Sequence, residues 1–111
     1  MSKSRRCFPI VVRCAFVLLA MPAALPVQAD ALALAQSKAC LACHTVERKL
    51  IGPAFKDVAA KEAGAEDAAQ RLADHIRKGS SGVWGPIPMP PNGAVSEADA
   101  KILAEWILSL K

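Results

Sequence analysis

Cys40-Leu41-Ala42-Cys43-His44 constrains this chain more than any other stretch of it. Two thiols three positions apart lie on one side of a helical turn. There they can add to the two vinyl groups of a single porphyrin, and the histidine that follows offers an imidazole nitrogen to the iron. C-x-x-C-H is the pattern of covalent c-type heme attachment. A chain built this way leaves redox chemistry to the cofactor, and its own residues set axial ligation, burial and exposure.

The 111 residues carry a formal charge of +4, but the excess is local. Lys3, Arg5, Arg6 and Arg13 surround the start of an apolar stretch whose uncharged run, Cys14 to Ala29, ends Val27-Gln28-Ala29. A basic start, apolar middle and small-residue exit read as a secretory signal peptide over residues 1–29, cut after Ala29. The run is short for a membrane span, and Pro22 and Pro26 interrupt it. Arg5-Arg6 reads as a plain basic region, because c-type heme is attached to an unfolded chain after export. The remaining domain, residues 30–111, balances its basic residues against the 10 acidic ones. No net positive field is left to support nucleic-acid binding. Cys7 and Cys14 fall in the leader, so Cys40 and Cys43 are the cysteines of the mature chain. In an oxidising compartment these two can also form a disulfide; His44 favours thioethers to heme.

Size points the same way. Small domains rarely bury enough core to be stable unaided, and this one holds only Phe55, Trp84 and Trp106 as large aromatics. A covalent porphyrin would supply the missing apolar volume.

The fold class is all-α, with four helical patterns and no strand pattern. Helices are expected over residues 31–39, 54–62 and 68–78, with a fourth after Ser96. Pro53 suits a helix start and Gly64 an end. Asp67 is positioned to cap the third helix and Gly79 to stop it; Ala68, Leu72 and Ile76 form its apolar stripe. Ser96 and Asp99 make a capping box for the fourth, whose core face reads Ile102, Leu103, Trp106, Ile107 and Leu110. Between the third and fourth helices, residues 79–95 form a loop with Pro86, Pro88, Pro90 and Pro91. A loop this long in so small a domain is usually functional or disordered, and its alternation with Trp84, Ile87 and Met89 favours an ordered one.

That loop carries the best candidate for a second axial ligand. His75 and the lysines are alternatives, but Met89 is the only methionine after the leader, and the prolines around it stiffen the backbone. His/Met ligation is the recurrent electron-transfer pairing; the bland alternative is a methionine filling a core gap. On the other side, Gly52-Pro53 follows His44 closely. A ligating histidine usually donates its second ring N–H to a fixed acceptor, and the Pro53 carbonyl is a candidate that Gly52 would let approach. Trp84 is a candidate donor to a heme propionate or a packing residue at the ring edge. Asn92 is a candidate partner for the Met89 sulfur or a turn residue before Gly93.

Cys40 to His44, Ile51 to Lys61, and Gly82-Val83-Trp84-Gly85-Pro86-Ile87-Pro88-Met89-Pro90-Pro91-Asn92 resemble the small bacterial class I c-type cytochromes of the cytochrome c-551, or cytochrome c8, type. The resemblance covers essentially all of residues 30–111. It implies the cytochrome c fold wrapped around one covalent heme c, with His44 and Met89 on iron. It also implies the Pro53 carbonyl on the His44 ring, Asn92 near the Met89 sulfur and Trp84 near a propionate. The chain departs from the pattern in places. Gly93 reads as a one-residue insertion after Asn92. Ala35 and Ala39 stand where relatives often carry an aromatic and a glycine, so the packing of the first helix against the last should differ. His75 stands where many relatives place an arginine that contacts a propionate.

The function implied is that of a periplasmic, monomeric carrier cycling between Fe(II) and Fe(III), with no membrane insertion after signal cleavage. Its donor would be a quinol-oxidising complex and its acceptor a nitrite reductase, oxidase or peroxidase. Leu41, Ile51 and the proline loop are candidates for a transient docking patch, with Lys38, Lys49 and Lys56 as steering charges or plain solvated surface. The alternative is a heme enzyme or gas sensor whose sixth iron site is open, which requires Met89 off the iron. A C-x-x-C thiol-redox module lacks its strand–helix–strand setting, and a zinc module lacks two further ligands.

Overall fold

The structure, a computed structural model, describes residues 27–111. Residues 1–26 of the expected leader lie outside the described residues, and its last three residues fall in the first turn of α1. The architecture is all-α: α1 (Val27–Ser37), a single 3₁₀ turn (Cys40–Ala42), α2 (Phe55–Glu62), α3 (Ala68–Lys78) and α4 (Glu97–Leu108). Among the described residues there is no strand; an isolated antiparallel bridge joins Ser80 to Met89.

Helix α4 is the hub against which α1, α2 and α3 all pack. It begins where a side chain can satisfy an orphan amide: the Ser96 hydroxyl accepts from the Asp99 N–H at 3.0 Å. Its buried face is Ala100, Leu103, Ala104, Trp106 and Ile107. Burying a residue such as Leu103 is worth about 1.5–3 kcal/mol relative to leaving it exposed. Ile102, expected on this face, instead sits at its rim beyond Trp106 and is 44% exposed. Helix α1 answers α4 with small residues: Ala31 and Ala35 are fully buried, as are Ala100 and Ala104. Pairs of alanines four apart on each helix permit a close approach at this crossing.

Helix α1 stops at Ser37, earlier than expected, because Ala39 takes up a left-handed conformation with φ 59°. That turn leads the chain straight into the cysteine pair. A non-glycine residue there costs about 1 kcal/mol. Helix α2 has no side-chain cap. Its first amides are satisfied from outside instead: Phe55 N–H donates to the Thr45 carbonyl at 2.9 Å and Lys56 N–H to Val46 at 3.2 Å. This fastens the segment after His44 to the start of α2.

Helix α3 buries the expected Ala68, Leu72 and Ile76, with Ala73 beside them. Asp67 does not cap it. The Asp67 carboxylate accepts from Arg71 at 2.6 Å, a stronger charged donor one turn along. The same guanidinium donates to Glu62, the one buried charged residue among those described, and so ties α2 to α3. Gly79, φ 79°, ends the helix and donates its N–H to the His75 carbonyl at 2.9 Å.

Candidate functional site

The elements enclose a cavity of about 520 Å³. Phe55 and Val58 of α2, Leu72 and Ile76 of α3, and Leu103 and Ile107 of α4 line it, with Cys40, Cys43, His44 and Met89 among the remaining lining residues. An apolar cleft with a few convergent polar groups is the usual form of a cofactor site.

On the His44 side the geometry is set by packing. The imidazole stacks on Phe55 with ring centroids 5.1 Å apart and planes 20° from parallel, and Phe55 meets Trp106 edge-on at 5.4 Å. Nδ1 lies 2.8 Å from the Pro53 carbonyl oxygen, so the proton belongs on Nδ1 and Nε2 is left as the electron-pair donor. Gly52 donates its N–H to the Cys43 carbonyl at 2.8 Å and lies flat against the ring. A Cβ on Gly52 would come within 2.4 Å of His44 Cε1. No larger residue fits there without moving the imidazole.

Cys40 and Cys43 are both free thiols, not joined to each other. Burial pushes the Cys40 thiol up from its ordinary value, partly offset by its backbone hydrogen bond. Among the described residues no group of three or more His, Cys, Asp or Glu side chains is placed to hold a metal ion.

The opposite loop is held differently. Ser80 and Met89 exchange both backbone hydrogen bonds, at 3.0 and 2.9 Å. Gly79 is needed here as well as at the helix end, because a Cβ would sit 2.7 Å from the Met89 carbonyl oxygen. Met89 itself is half-buried and packs against the core. Trp84 lies across the Lys61 ammonium, 4.4 Å from ring centroid to Nζ, and the same Nζ donates to the Val83 carbonyl at 2.8 Å. His75 and Asn92 also line the cavity. The Asn92 side chain does not bond the Met89 sulfur: Nδ2 donates to the Lys38 carbonyl at 2.9 Å, and Oδ1 accepts from Ala94 N–H at 3.2 Å.

Free thiols, an imidazole with one nitrogen already engaged, and an apolar cleft between them fit a covalently held porphyrin. The family model for cytochrome c matches residues 29–111. The chain belongs to the cytochrome c family.

Within that family it is a small class I cytochrome of the c-551 type. It is 60% identical to cytochrome c-551 of Stutzerimonas stutzeri over 98 residues, covering 85% of this chain and 93% of the relative. It is 64% identical over 84 residues to cytochrome c-552 of Nitrosomonas europaea, covering 76% and 81%. The crystal structure of that protein superposes with a TM-score of 0.71 at 62% identity, over 72% of this chain and 99% of the other. Membership brings heme c, bound through Cys40 and Cys43, and a general role in electron transfer. No helix among the described residues of this cytochrome is long and apolar enough to cross a membrane.

Two lysines of the site carried no specific signal in sequence. Lys61 falls on the exposed face of a helix, and only the approach of the loop gives it Val83 and Trp84 as partners. Lys38 reads as a solvated or steering charge, yet both its carbonyl and its ammonium bond the segment after Met89.

Proposed function

We propose that this cytochrome is a periplasmic single-electron carrier with His44 and Met89 as the two axial ligands. It shuttles between a quinol-oxidising donor and a terminal redox enzyme. The observation that carries this reading is the pairing, in one cavity, of an imidazole whose Nδ1 is bound to Pro53 with a methionine on a stiff proline loop. Heme c supplies an iron that is stable in the ferrous and ferric states. Cys40 and Cys43 hold it covalently. His44 is oriented by Gly52, Pro53 and Phe55 so that Nε2 is its ligand atom. Met89 offers a neutral thioether, which favours the ferrous state and a high potential. Trp84 and His75 line the same cavity as candidate partners for the propionates.

Ile51 and Ile87, 56% and 61% exposed beside the cavity, supply an apolar surface for brief docking. With the protein charge of residues 30–111 balanced, docking is expected to be weak and only moderately salt-dependent.

The ferric absorption spectrum tests the ligation: a weak far-red methionine–iron band is expected, and its loss in Met89→Ala. A wild-type spectrum without that band, or ready carbon monoxide binding to the reduced protein at neutral pH, would replace this reading with an open-site heme enzyme or sensor. Mass spectrometry of the secreted chain tests the export reading, with an N-terminus at Asp30 and one heme expected.

A further inference from the structure

The segment leaving Met89 is fastened at a point that neither the cavity lining nor the loop's own sequence announces. Lys38 stands two residues before Cys40 and grips this segment twice. Its carbonyl accepts from Asn92 Nδ2 at 2.9 Å, and its ammonium donates to the Ala94 carbonyl at 2.9 Å. The ammonium is held in place by Asp99, 3.5 Å away on the first turn of α4. Asn92 adds a backbone tie, donating its N–H to the Ile76 carbonyl at 3.0 Å. The Lys38 side chain is only 25% exposed, and the bond from Asn92 is partly buried while that to Ala94 lies at the surface.

We infer that Lys38 is a positioning residue for the sixth ligand. It clamps the exit of the Met89 loop to the backbone that enters the cysteine turn, so that one residue couples the two faces of the cofactor site. The inference rests on Met89 being an axial ligand. Ser80 fixes Met89 from the entry side through its two backbone bonds. Without the Lys38 ammonium the exit loses its tie at Ala94 and keeps the Asn92 bond to the residue-38 carbonyl, its tie to α3 and the local Asn92 turn. The thioether should then leave its place more readily, although the core beneath α4 is untouched.

Exogenous imidazole competes with a methionine ligand, so its affinity for the ferric protein reports how readily the loop releases Met89. Lys38→Met keeps the apolar stem and removes the donor. It should raise imidazole affinity about tenfold, the equivalent of losing one charge-assisted hydrogen bond. Lys38→Arg, which retains a donor, should recover most of the wild-type value. Asn92→Ala should act in the same direction, and the double variant should show less than the product of the two effects, because both ties hold one segment.

A purely structural lysine would lower the guanidinium midpoint measured by helical circular dichroism and leave imidazole affinity within about twofold of wild type. That result in Lys38→Met overturns the clamp, whatever Asn92→Ala does. Absence of the far-red band from the wild-type protein overturns the ligation reading and the clamp together. Presence of the band with unmoved imidazole affinity overturns the clamp alone.

Discussion

The two flanks of the cavity are built on different principles. On the His44 flank, residues 40–55 position one another over short sequence distances, and the ring is stacked into the core through Phe55 and Trp106. On the Met89 flank, much of the loop is exposed, Trp84 by 39% and Ile87 by 61%. It is held by polar bonds to Ser80, Ile76, Lys38 and Lys61. Packing gives stiffness that is lost only with the fold, whereas hydrogen bonds at a partly wet surface are each worth about 1 kcal/mol and can open singly. On the proposed ligation, His44 is therefore held by packing and Met89 by bonds that can open one at a time.

Substitutions can break or sharpen that contrast. Phe55→Ala should have the largest effect, a loss of about 3–5 kcal/mol in guanidinium unfolding, because it removes the platform under His44 and the edge contact to Trp106. If the loss were below about 1 kcal/mol, the His44 flank would not be held by packing. Gly52→Ala comes next. The new methyl must displace the imidazole, at about 1–3 kcal/mol, with shifted His44 ring resonances in NMR spectra.

Ala39→Gly should go the other way. Relief of the left-handed alanine ahead of Cys40 should stabilise the protein by about 1 kcal/mol, read as a higher denaturant midpoint at unchanged slope. Lys61→Met tests the other flank. Losing the ammonium over Trp84 should cost about 0.5–1 kcal/mol. It should speed exchange of the bonded loop amides of Ser80 and Met89 while α4 stays protected. Equal acceleration in α4 would erase the distinction between the flanks.

Acid should have the smallest effect. Hydrogen bonds from Arg71 hold the Asp67 carboxyl below its ordinary range, and those from Lys78 do the same for Asp74. Groups with a lowered folded pKa stabilise fully above the unfolded value and lose that contribution as pH falls through the folded one. Thermal melts should therefore decline below about pH 4. Arg71→Gln should flatten that decline, because Asp67 then loses its partner. Both carboxylates are exposed and screened.

Much of the site was legible because its chemistry is written in local spacing. Cys40, Cys43 and His44 are contiguous, Gly52 and Pro53 follow within one loop, and Ser96 caps α4 from three residues away. Two expectations, Asp67 as a cap and Ile102 in the core, fail, and the structure shows which partners Asn92 takes. Asp67 has the valence to cap α3, but Arg71 is the stronger donor within reach. Asn92 could face the Met89 sulfur or serve the turn before Gly93, and its amide bonds the Lys38 carbonyl and Ala94 N–H. Ile102 fits a helical stripe by spacing, yet it lies outside the buried face of α4, whose inner residues are Ala100, Leu103, Ala104, Trp106 and Ile107.

By itself the sequence determined the covalent heme attachment, the all-α class and the identity of the candidate ligands, since these depend on residue type and short-range periodicity. Tertiary structure decided which more distant groups, beyond Gly52 and Pro53, hold those candidate ligands in place. Phe55 reaches His44, Lys61 reaches Trp84 and Lys38 reaches the exit of the Met89 loop only after the helices converge on α4. Hydrogen bonds and ring contacts act over a few ångströms, and no spacing along the chain specifies which distant groups folding will bring that close.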